Sequence, residues 1–259
     1  MAETIAVLSL KGGTGKTTTV RTLADVFRRL GLDVLAIDLD PQGNLSDYFD
    51  VPPDASPTIA DVLSGKAKAK AAAHDGVIPA TPILAEVERS MSGKMGRELV
   101  LRKALKDVRK EHDLILVDCP PALGLLTING LVAADWALVS SEAQYFALQG
   151  VEGALEVIEQ AKEFYNPDLE WLGVVLNIAD MRTVHSREAF QQLSERYGEK
   201  VFESVIRASI AYAESAEKAV SILDHRPDLA ADYLALADEV LRRVGLKEAR
   251  KKLKPLMAG

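Results

Sequence analysis

The stretch "LSLKGGTGKTTT", residues 8–19, has the composition of a phosphate-binding loop between a strand and a helix. The helix that begins near Thr17 directs its positive end toward the loop. We predict that Lys16 reaches the β- and γ-phosphates of a nucleotide and that the Thr17 hydroxyl binds Mg²⁺. The backbone can turn tightly enough to direct several N–H groups at one point because the loop contains three glycines: Gly12, Gly13 and Gly15.

The loop departs from the usual pattern G-x-x-x-x-G-K-[ST] at two positions. Leu10 stands where the first glycine is expected, and Lys11 adds a second lysine. Two lysines in one tight loop repel each other unless concentrated negative charge lies near them. Since Lys16 serves the loop's own nucleotide, we predict that Lys11 points outward, to a phosphate held by another subunit.

Two further segments place carboxylates where they can serve the same loop. "VLAIDLDPQGN" ends a strand with Asp38 and Asp40, and "LILVDCPP" ends another strand with Asp118. The carboxyl ends of strands in an open α/β sheet are where ligands bind, so the three acids are expected to converge on the loop. Thr17, Asp38 and Asp118 are the predicted magnesium site, with Asp118 holding the ion through water.

Short apolar runs that alternate with helical patterns predict an α/β fold. We expect a doubly wound, mostly parallel sheet with helices on both faces, in a single domain covering residues 1–259. A helix follows the loop, and Gly31 is its predicted C-cap. The least regular stretch is 50–75. The predicted strands are residues 5–10, 34–38, 114–118, 136–141, 172–177 and 201–206.

Composition excludes several classes of protein. The chain has 259 residues, of which 48% are hydrophobic, and a net charge of −7, which argues against a generally basic nucleic-acid binder. Cys119 is the one cysteine, so an internal disulfide and a site of several thiolates are both excluded. No apolar run reaches the roughly 18–20 residues of a membrane span, and no secretion signal is visible. A cytoplasmic protein is expected.

The segment "KGGTGKTT" resembles the deviant Walker A motif of the ParA/MinD ATPases, in which the extra lysine is the signature. "DLDPQGN" resembles the switch I segment of that family, and "VDCPPALGLLTINGLVAADWALV" resembles its Walker B and switch II stretch. "EAQYFALQGV" is similar to a further ParA segment. The likeness is strong over about residues 1–180 and looser over 200–245.

The resemblance implies an ATPase of weak intrinsic activity that uses ATP and Mg²⁺ and forms a homodimer with ATP. Lys11 matches the lysine that crosses the dimer interface, and Asp40 matches the acid that positions the attacking water. Lys11, Lys16 and Asp40 are therefore the predicted catalytic residues. A ParB-like or adaptor protein is expected to stimulate hydrolysis. The predicted nucleotide-binding residues are Lys11, Gly12, Gly13, Thr14, Gly15, Lys16, Thr17, Thr18 and Asn177.

Two departures from the family pattern bear on the site. The chain keeps Arg207 but lacks the proline that often precedes it in ParA proteins. Asn177 stands where many ParA proteins have threonine. At the end of a strand, Asn177 either reads the adenine edge, as an asparagine does in the wider family, or forms a turn.

Three functions remain open. The first is a small ParA-type ATPase that binds DNA non-specifically and positions a chromosome, plasmid or protein cargo. The second is a MinD-like ATPase on a membrane, and the third is a metabolic P-loop enzyme that acts on a small acid. With Lys11 so near the first residue, no N-terminal helix-turn-helix domain is expected. The third function leaves Lys11 and the long ParA-like segments unexplained.

The C-terminal segment favours DNA over a membrane. Residues 241–259 are predicted to form a basic helical tail, with seven Lys/Arg and one acid, Glu248, in 242–254. The tail has no aromatic residue for a membrane surface, and Pro255 is expected to end the helical pattern. A nucleoid-associated protein is therefore expected, with the cargo unknown. The predicted DNA contacts are Arg182, Arg187, Arg207, Arg250, Lys251 and Lys252.

Overall fold

A computed structural model, which describes residues 1–144 and 146–257, contains a seven-stranded sheet with helices on both faces. All pairs of neighbouring strands are parallel, in the order β3-β2-β4-β1-β5-β6-β7. The predicted fold class is therefore confirmed. The strands are β1 (Glu3–Leu8), β2 (Val34–Asp38), β3 (Val77–Ile78), β4 (Leu114–Asp118), β5 (Trp136–Glu142), β6 (Glu170–Ala179) and β7 (Val201–Arg207).

The helices cover the sheet because its strands are apolar on both faces. In β1, Ile5 and Val7 join one apolar layer, while Ala6 and Leu8 join the other. The helices are α1 (Lys16–Arg29), α2 (Asn44–Tyr48), α3 (Ile59–Leu63), α4 (Ile83–Met91), α5 (Val100–Ala104), α6 (Leu125–Ala133), α7 (Ala147–Phe164), α8 (Val184–Tyr197), α9 (Ala211–Glu217), α10 (Ile222–His225), α11 (Pro227–Arg243) and α12 (Lys247–Met257).

Most predicted elements are found, with shifted ends. The strands at 34–38 and 114–118 have the predicted bounds, and Gly31 follows α1 with a φ of +78°, as expected of a glycine at a helix C-terminus. The first strand ends at Leu8 rather than at residue 10, because Ser9 and Leu10 already belong to the loop. Strand β3 has only two residues, too few for a recognisable apolar pattern.

The basic C-terminal segment is packed against the rest of the chain. Its first residues complete α11, and α12 then carries two buried side chains, Ala249 and Leu253. The expectation that Pro255 ends the helical pattern is wrong, since Pro255 lies within α12. A proline in the last turn removes only one backbone donor, and the buried side chains hold the helix in place. Residues 258 and 259 lie outside the described part of the chain.

Candidate functional site

The loop between β1 and α1 has the conformation that its glycines predict. Gly13 and Gly15 have φ values of +76° and +80°, where a side chain would be strained. At Gly15 a Cβ atom would also lie 3.2 Å from Cγ of Asn177. The chain turns at Gly15 directly into α1, whose N-terminus carries uncompensated N–H groups and a positive dipole end. This geometry suits a bound phosphate group.

A buried hydroxyl, that of Ser9, organises the start of the loop. Ser9 Oγ donates to the Lys11 carbonyl oxygen over 2.7 Å and accepts from Thr14 Oγ1 at 2.9 Å. It also accepts from Lys16 Nζ at 3.1 Å, and the Lys16 residue is only 6% exposed. The ammonium group of Lys16 is therefore held beneath the loop by contacts within the chain. Sequence reasoning assigned no role to Ser9, although it directly follows the β1 strand.

A chain of hydrogen bonds supports the loop from below. Asn177 Nδ2 donates to Ser140 Oγ over 2.7 Å, and Ser140 Oγ donates to the Thr14 carbonyl oxygen over 2.7 Å. Asn177 is 1% exposed and packs against Gly15. The structure thus places Asn177 as a support of the loop from the end of β6. Its contact with adenine stays a prediction.

Two of the predicted carboxylates lie side by side at the carboxyl end of the sheet. Asp38 in β2 and Asp118 in β4 are paired in register, and both are buried. Thr17 Oγ1 donates to Asp118 Oδ2 over 2.7 Å. Burial, followed by the charge of Asp38, raises the pKa of Asp118. The structure therefore brings together the three side chains that were predicted to form the magnesium site.

The Asp118 side chain fits a cation ligand. Its Oδ1 atom is buried and accepts no hydrogen bond from the described residues, so one carboxylate oxygen is available. Hydroxyl and carboxylate oxygens are the donors that Mg²⁺ prefers, and this ion is typically bound by one or two carboxylates together with substrate phosphates. Within residues 1–144 and 146–257 no cluster of three or more His, Cys, Asp or Glu side chains forms a metal site.

Asp38 is held more tightly than Asp118. Its Oδ1 accepts from the Asp40 backbone N–H at 3.0 Å, and its Oδ2 accepts from the backbone N–H and the hydroxyl of Ser46 at 3.0 and 2.8 Å. Burial nevertheless raises the pKa of Asp38. Because both oxygens already accept hydrogen bonds, direct binding of a metal by Asp38 stays a prediction. Asp40 is half-buried, and its Oδ1 accepts from the Gln42 N–H at 3.0 Å.

The loop opens onto a cavity of about 980 Å³. Ligand pockets typically occupy about 300–1,000 Å³, so the cavity is large enough for a nucleotide. Asp40 lines it, as do Ile178 near the end of β6 and Arg207 at the end of β7. The loop residues that line it are Gly12, Gly13, Thr14, Gly15, Lys16, Thr17 and Thr18, all of which were predicted to bind nucleotide.

Lys11 lies apart from this cavity. Its side chain is 67% exposed, and its Nζ atom is 2.8 Å from Oε2 of Glu142. Oε1 of Gln144 is 3.4 Å from the same ammonium group. The two lysines of the loop therefore have different surroundings, since Lys16 is buried under the loop and Lys11 extends from it. Sequence reasoning missed Glu142, which lies at the end of β5.

The six predicted DNA contacts lie in three parts of the chain, and each already has a partner within it: Arg182 and Arg187 are near the start of α8, Arg207 ends β7, and the other three are in α12. Arginines so paired are only partly available to phosphates. DNA contact stays a prediction for all six. The partners are Asp180 for Arg182, the Met181 and Arg182 carbonyl oxygens for Arg187, Asp232 for Arg207, Asp238 for Arg250, Glu248 for Lys251 and the Leu30 carbonyl oxygen for Lys252.

Comparisons with known proteins agree with this site. A family model described as "AAA domain" matches residues 2–171. The chromosome-partitioning ATPase Soj of Thermus thermophilus is 39% identical over 246 residues, which are 93% of this chain and 96% of that protein. The chromosome partitioning protein ParA of Myxococcus xanthus is 32% identical over 258 residues, 96% of this chain and 91% of that protein.

A solved structure is also similar. The structure of cobyrinic acid a,c-diamide synthase from Mycobacterium smegmatis, with bound ADP and magnesium, has a TM-score of 0.77 and 34% identity. The match covers 87% of this chain and 95% of that one. The loop geometry, the two lysines and these similarities together show that the chain belongs to the ParA/MinD family of deviant Walker A ATPases.

Proposed function

We propose that this ATPase is a ParA-type switch that positions or segregates a chromosome, a plasmid or a protein cargo. ATP assembles a sandwich dimer, the dimer binds DNA without sequence preference, and hydrolysis releases it. A ParB-like or adaptor protein sets the lifetime of the bound state by stimulating a weak intrinsic activity. The observation that carries the proposal is the position of Lys11, outside its own nucleotide cavity.

The different surroundings of the two lysines are evidence for the proposed dimer. Lys16 is held under its own loop by Ser9, where it meets the phosphates of the nucleotide in the same chain. The ammonium group of Lys11 instead rests on Glu142 at the outer side of the loop. A second nucleotide, held by another copy of the chain, offers Lys11 a charge-assisted contact of the same kind.

The residues in and beside the cavity have separate roles. Lys16 and the N–H groups of the loop bind and orient the phosphates, and Thr17 and Asp118 would hold the cation. When bound, Mg²⁺ supplies positive charge that offsets the negative charge of the phosphate oxygens. Asp40 is half-buried at the cavity wall, where its carboxylate orients a water molecule for attack. Slow turnover suits this role, since the bound state must persist.

A comparison of two lysine variants tests the dimer. Lys16→Ala should lose ATP binding in a titration with a fluorescent ATP analogue, because the phosphates lose their nearest cation. Lys11→Ala should bind the same analogue nearly normally as a monomer. Light scattering with a non-hydrolysable ATP analogue should show a dimer weakened about thirty-fold or more, as loss of a desolvated interfacial cation costs about 2–5 kcal/mol.

The control for this comparison is Lys66→Ala, which removes an exposed lysine outside the site. That variant should match the wild type in both assays. A stable ATP-bound dimer of Lys11→Ala would show that Lys11 is an ordinary solvated loop residue. Loss of ATP binding by Lys11→Ala, equal to that of Lys16→Ala, would show that Lys11 serves its own nucleotide.

The packing of α12 argues against a membrane as the bound surface and leaves DNA as the proposed one. No helix within residues 1–144 and 146–257 is both long and apolar enough to cross a bilayer. A helix that lies on a membrane needs a free apolar face, whereas Ala249 and Leu253 of α12 are buried in the fold. Co-sedimentation with DNA or with liposomes in the presence of ATP separates these two functions.

The similarity to a diamide synthase keeps a metabolic enzyme as a second candidate. Such an enzyme forms amides on an acid substrate and has no need of DNA. The two candidates differ in what stimulates hydrolysis. Phosphate release that rises with DNA and a cognate partner protein supports the partitioning switch, while release that depends on a small acid and an amide donor supports the synthetase.

A further inference from the structure

Leu10 occupies the position where the usual phosphate loop has its first glycine. The loop residues with a positive φ are Gly13 and Gly15, so the backbone at position 10 does not require glycine. The Leu10 side chain is half-buried and packs against the apolar layer on one face of the sheet. The reason for a leucine at this position therefore lies in what its side chain contacts.

The Leu10 side chain fits a gap in helix α7 at Gly153. A Cβ atom built on Gly153 would overlap Cδ1 of Leu10 and would lie 3.6 Å from its Cγ. Glycine is unfavourable in the interior of a helix, and Gly153 lies in the second turn of α7. A glycine there allows the close approach of Leu10, which a larger residue would prevent.

Lys11 contacts the segment that leads into the same helix. Its Nζ atom is 2.8 Å from Oε2 of Glu142 and 3.4 Å from Oε1 of Gln144. The backbone N–H of Ala147, the first residue of α7, donates to the Gln144 carbonyl oxygen over 2.9 Å. Leu10 and Lys11 are therefore neighbours in the sequence that contact α7 and the segment joined to it.

Ser9 holds the start of the loop from the other side. Its hydroxyl donates to the Lys11 carbonyl oxygen over 2.7 Å and accepts from Thr14 Oγ1 at 2.9 Å. With Ser9 tied to the loop and Leu10 tied to α7, the backbone that carries Lys11 is fixed on both sides. A glycine at position 10 would offer α7 no side chain and would add backbone freedom. Order that exists before binding reduces the entropy lost on binding.

We propose that Leu10, packed at Gly153, anchors the start of the loop to α7 and so presents Lys11 to the nucleotide held by a second copy of the chain. The inference rests on the proposed function in that it takes Lys11 to bind across a dimer. Leu10 does not line the nucleotide cavity and acts through Lys11, so it is a positioning residue. The missing glycine and the extra lysine are then two parts of one feature.

Two single substitutions and their combination test this anchor. Gly153→Ala should displace Leu10 from α7, and Leu10→Ala should remove the methyl groups that pack there. Each should weaken the dimer formed with a non-hydrolysable ATP analogue about three- to tenfold in light scattering, the cost of ordering one lysine side chain. Each should bind a fluorescent ATP analogue as a monomer within about twofold of the wild type. In the double variant Leu10→Ala/Gly153→Ala, the second substitution should have no further effect, because residues in contact are not additive.

Limited digestion with trypsin measures the anchor without a dimer. In the nucleotide-free protein, cleavage after Lys11 should be about threefold faster or more in each single variant, because the start of the loop opens more often. Mass spectrometry of the fragments identifies this cut. The control is Gln160→Ala, which changes an exposed position of α7 and should match the wild type in all three assays.

The assays separate this inference from the proposed function. A dimer of wild-type strength in both single variants would overturn the inference, and so would unchanged cleavage after Lys11. Losses that add in the double variant would overturn it as well, since Leu10 and Gly153 would then act independently. The same holds for a loss of ATP affinity as large as the loss of dimer strength, because Leu10 would then serve its own nucleotide. A wild-type protein that forms no dimer with ATP would instead refute the proposed function, and the cleavage rates would still show whether Leu10 anchors the loop.

Discussion

At the scale of single residues, the site contains a carboxyl group that is costly to ionise. Asp118 is buried beside Asp38, and one of its oxygens accepts no hydrogen bond from the described residues. Burial and the neighbouring carboxylate raise its pKa to about 8. A buried ionised carboxylate without a counter-charge is costly, and that cost is what a bound cation relieves.

Asp118→Asn is therefore expected to stabilise the nucleotide-free protein while abolishing magnesium-dependent hydrolysis. The folded-state pKa of Asp118 lies above the unfolded value of about 4, so folding holds the proton more tightly. In EDTA, the wild-type melting temperature should fall as pH rises from about 4 to about 8. The variant should lack this contribution, so the difference between the two proteins grows across that window.

Thermal melts of both proteins from pH 5 to pH 9 measure this difference. Each kcal/mol gained corresponds to a rise of about 2–4 °C in a domain of this size. A gap that is constant with pH, or that narrows as pH rises, would show that Asp118 is not the titrating group.

The ion pair between Glu142 and Lys11 leads to a second prediction at this scale, about the strength of the dimer. Its carboxylate, with a side chain that is 17% exposed, holds Lys11 at a distance of 2.8 Å in the isolated chain. If Lys11 binds across a dimer interface, this pair competes with assembly. Partly exposed ion pairs are worth up to about 1 kcal/mol. Glu142→Gln should therefore strengthen the ATP-dependent dimer by up to about fivefold.

Sedimentation of the Glu142→Gln variant with a non-hydrolysable ATP analogue checks this expectation. Removal of the more distant pair between Lys70 and Glu111 by Glu111→Gln is the control and should leave the dimer unchanged. A weaker dimer in Glu142→Gln would mean that Glu142 supports the interface rather than competing with it.

At the scale of elements, the sequence predicted the strands that are buried on both faces. It did not predict elements whose bounds depend on tertiary contacts. The runs at 34–38 and 114–118 were predicted with the correct bounds, because apolar residues on both faces leave little ambiguity. Strand β3 was missed, since it has two residues and is defined by its pairing with β2. Pro255 was read as a stop, but tertiary packing of Leu253 overrides that local signal.

The packing of α12 leads to a prediction about the free energy of unfolding. Leu253 is 0% exposed, whereas Leu256 in the same helix is 46% exposed. Leu253→Ala should destabilise the protein by about 2–5 kcal/mol, because it removes buried methyl groups and leaves a cavity. Leu256→Ala should change stability by no more than about 0.5 kcal/mol.

Urea denaturation of the two leucine variants gives the comparison directly. The nucleotide affinity of the folded Leu253→Ala protein should match that of the wild type. If the two variants have equal stability, α12 is not docked on the domain as the structure shows it.

At the scale of the whole molecule, the phosphate loop and its neighbours were predictable because they lie close together in the sequence or follow a strand end. The structure brings Thr17 and Asp118 within hydrogen-bond distance, as the meeting of strand ends implies. Ser9 and Glu142 escaped prediction for a different reason. Their roles depend on side-chain contacts with the two lysines of the loop, which residue type and spacing do not reveal.

The distribution of charge over the molecule gives the last prediction. The net charge is −7, so binding to DNA has to use a local cationic face rather than the overall charge. The exposed residues Lys251 and Lys254 of α12 are candidates for such a face, in part of the chain where acids are few. ATP-dependent affinity for DNA should fall steeply with salt and should not depend on sequence, since phosphate contacts release counterions regardless of the bases.

Reversal of both charges, in Lys251→Glu/Lys254→Glu, should weaken this binding and lower the slope of log K against log salt by about two, close to 0.9 for each lost phosphate contact. Fluorescence anisotropy with a labelled duplex at several salt concentrations measures the slope. Lys66→Glu/Lys70→Glu changes the same amount of charge far from α12 in sequence and should alter the slope by less than one. If the two double variants behave alike, α12 does not touch DNA and the response reflects net charge alone. A strong preference for one duplex sequence, or tight binding without ATP, would contradict a nucleotide-controlled and non-specific contact, because neither arises from phosphate contacts assembled by dimerisation.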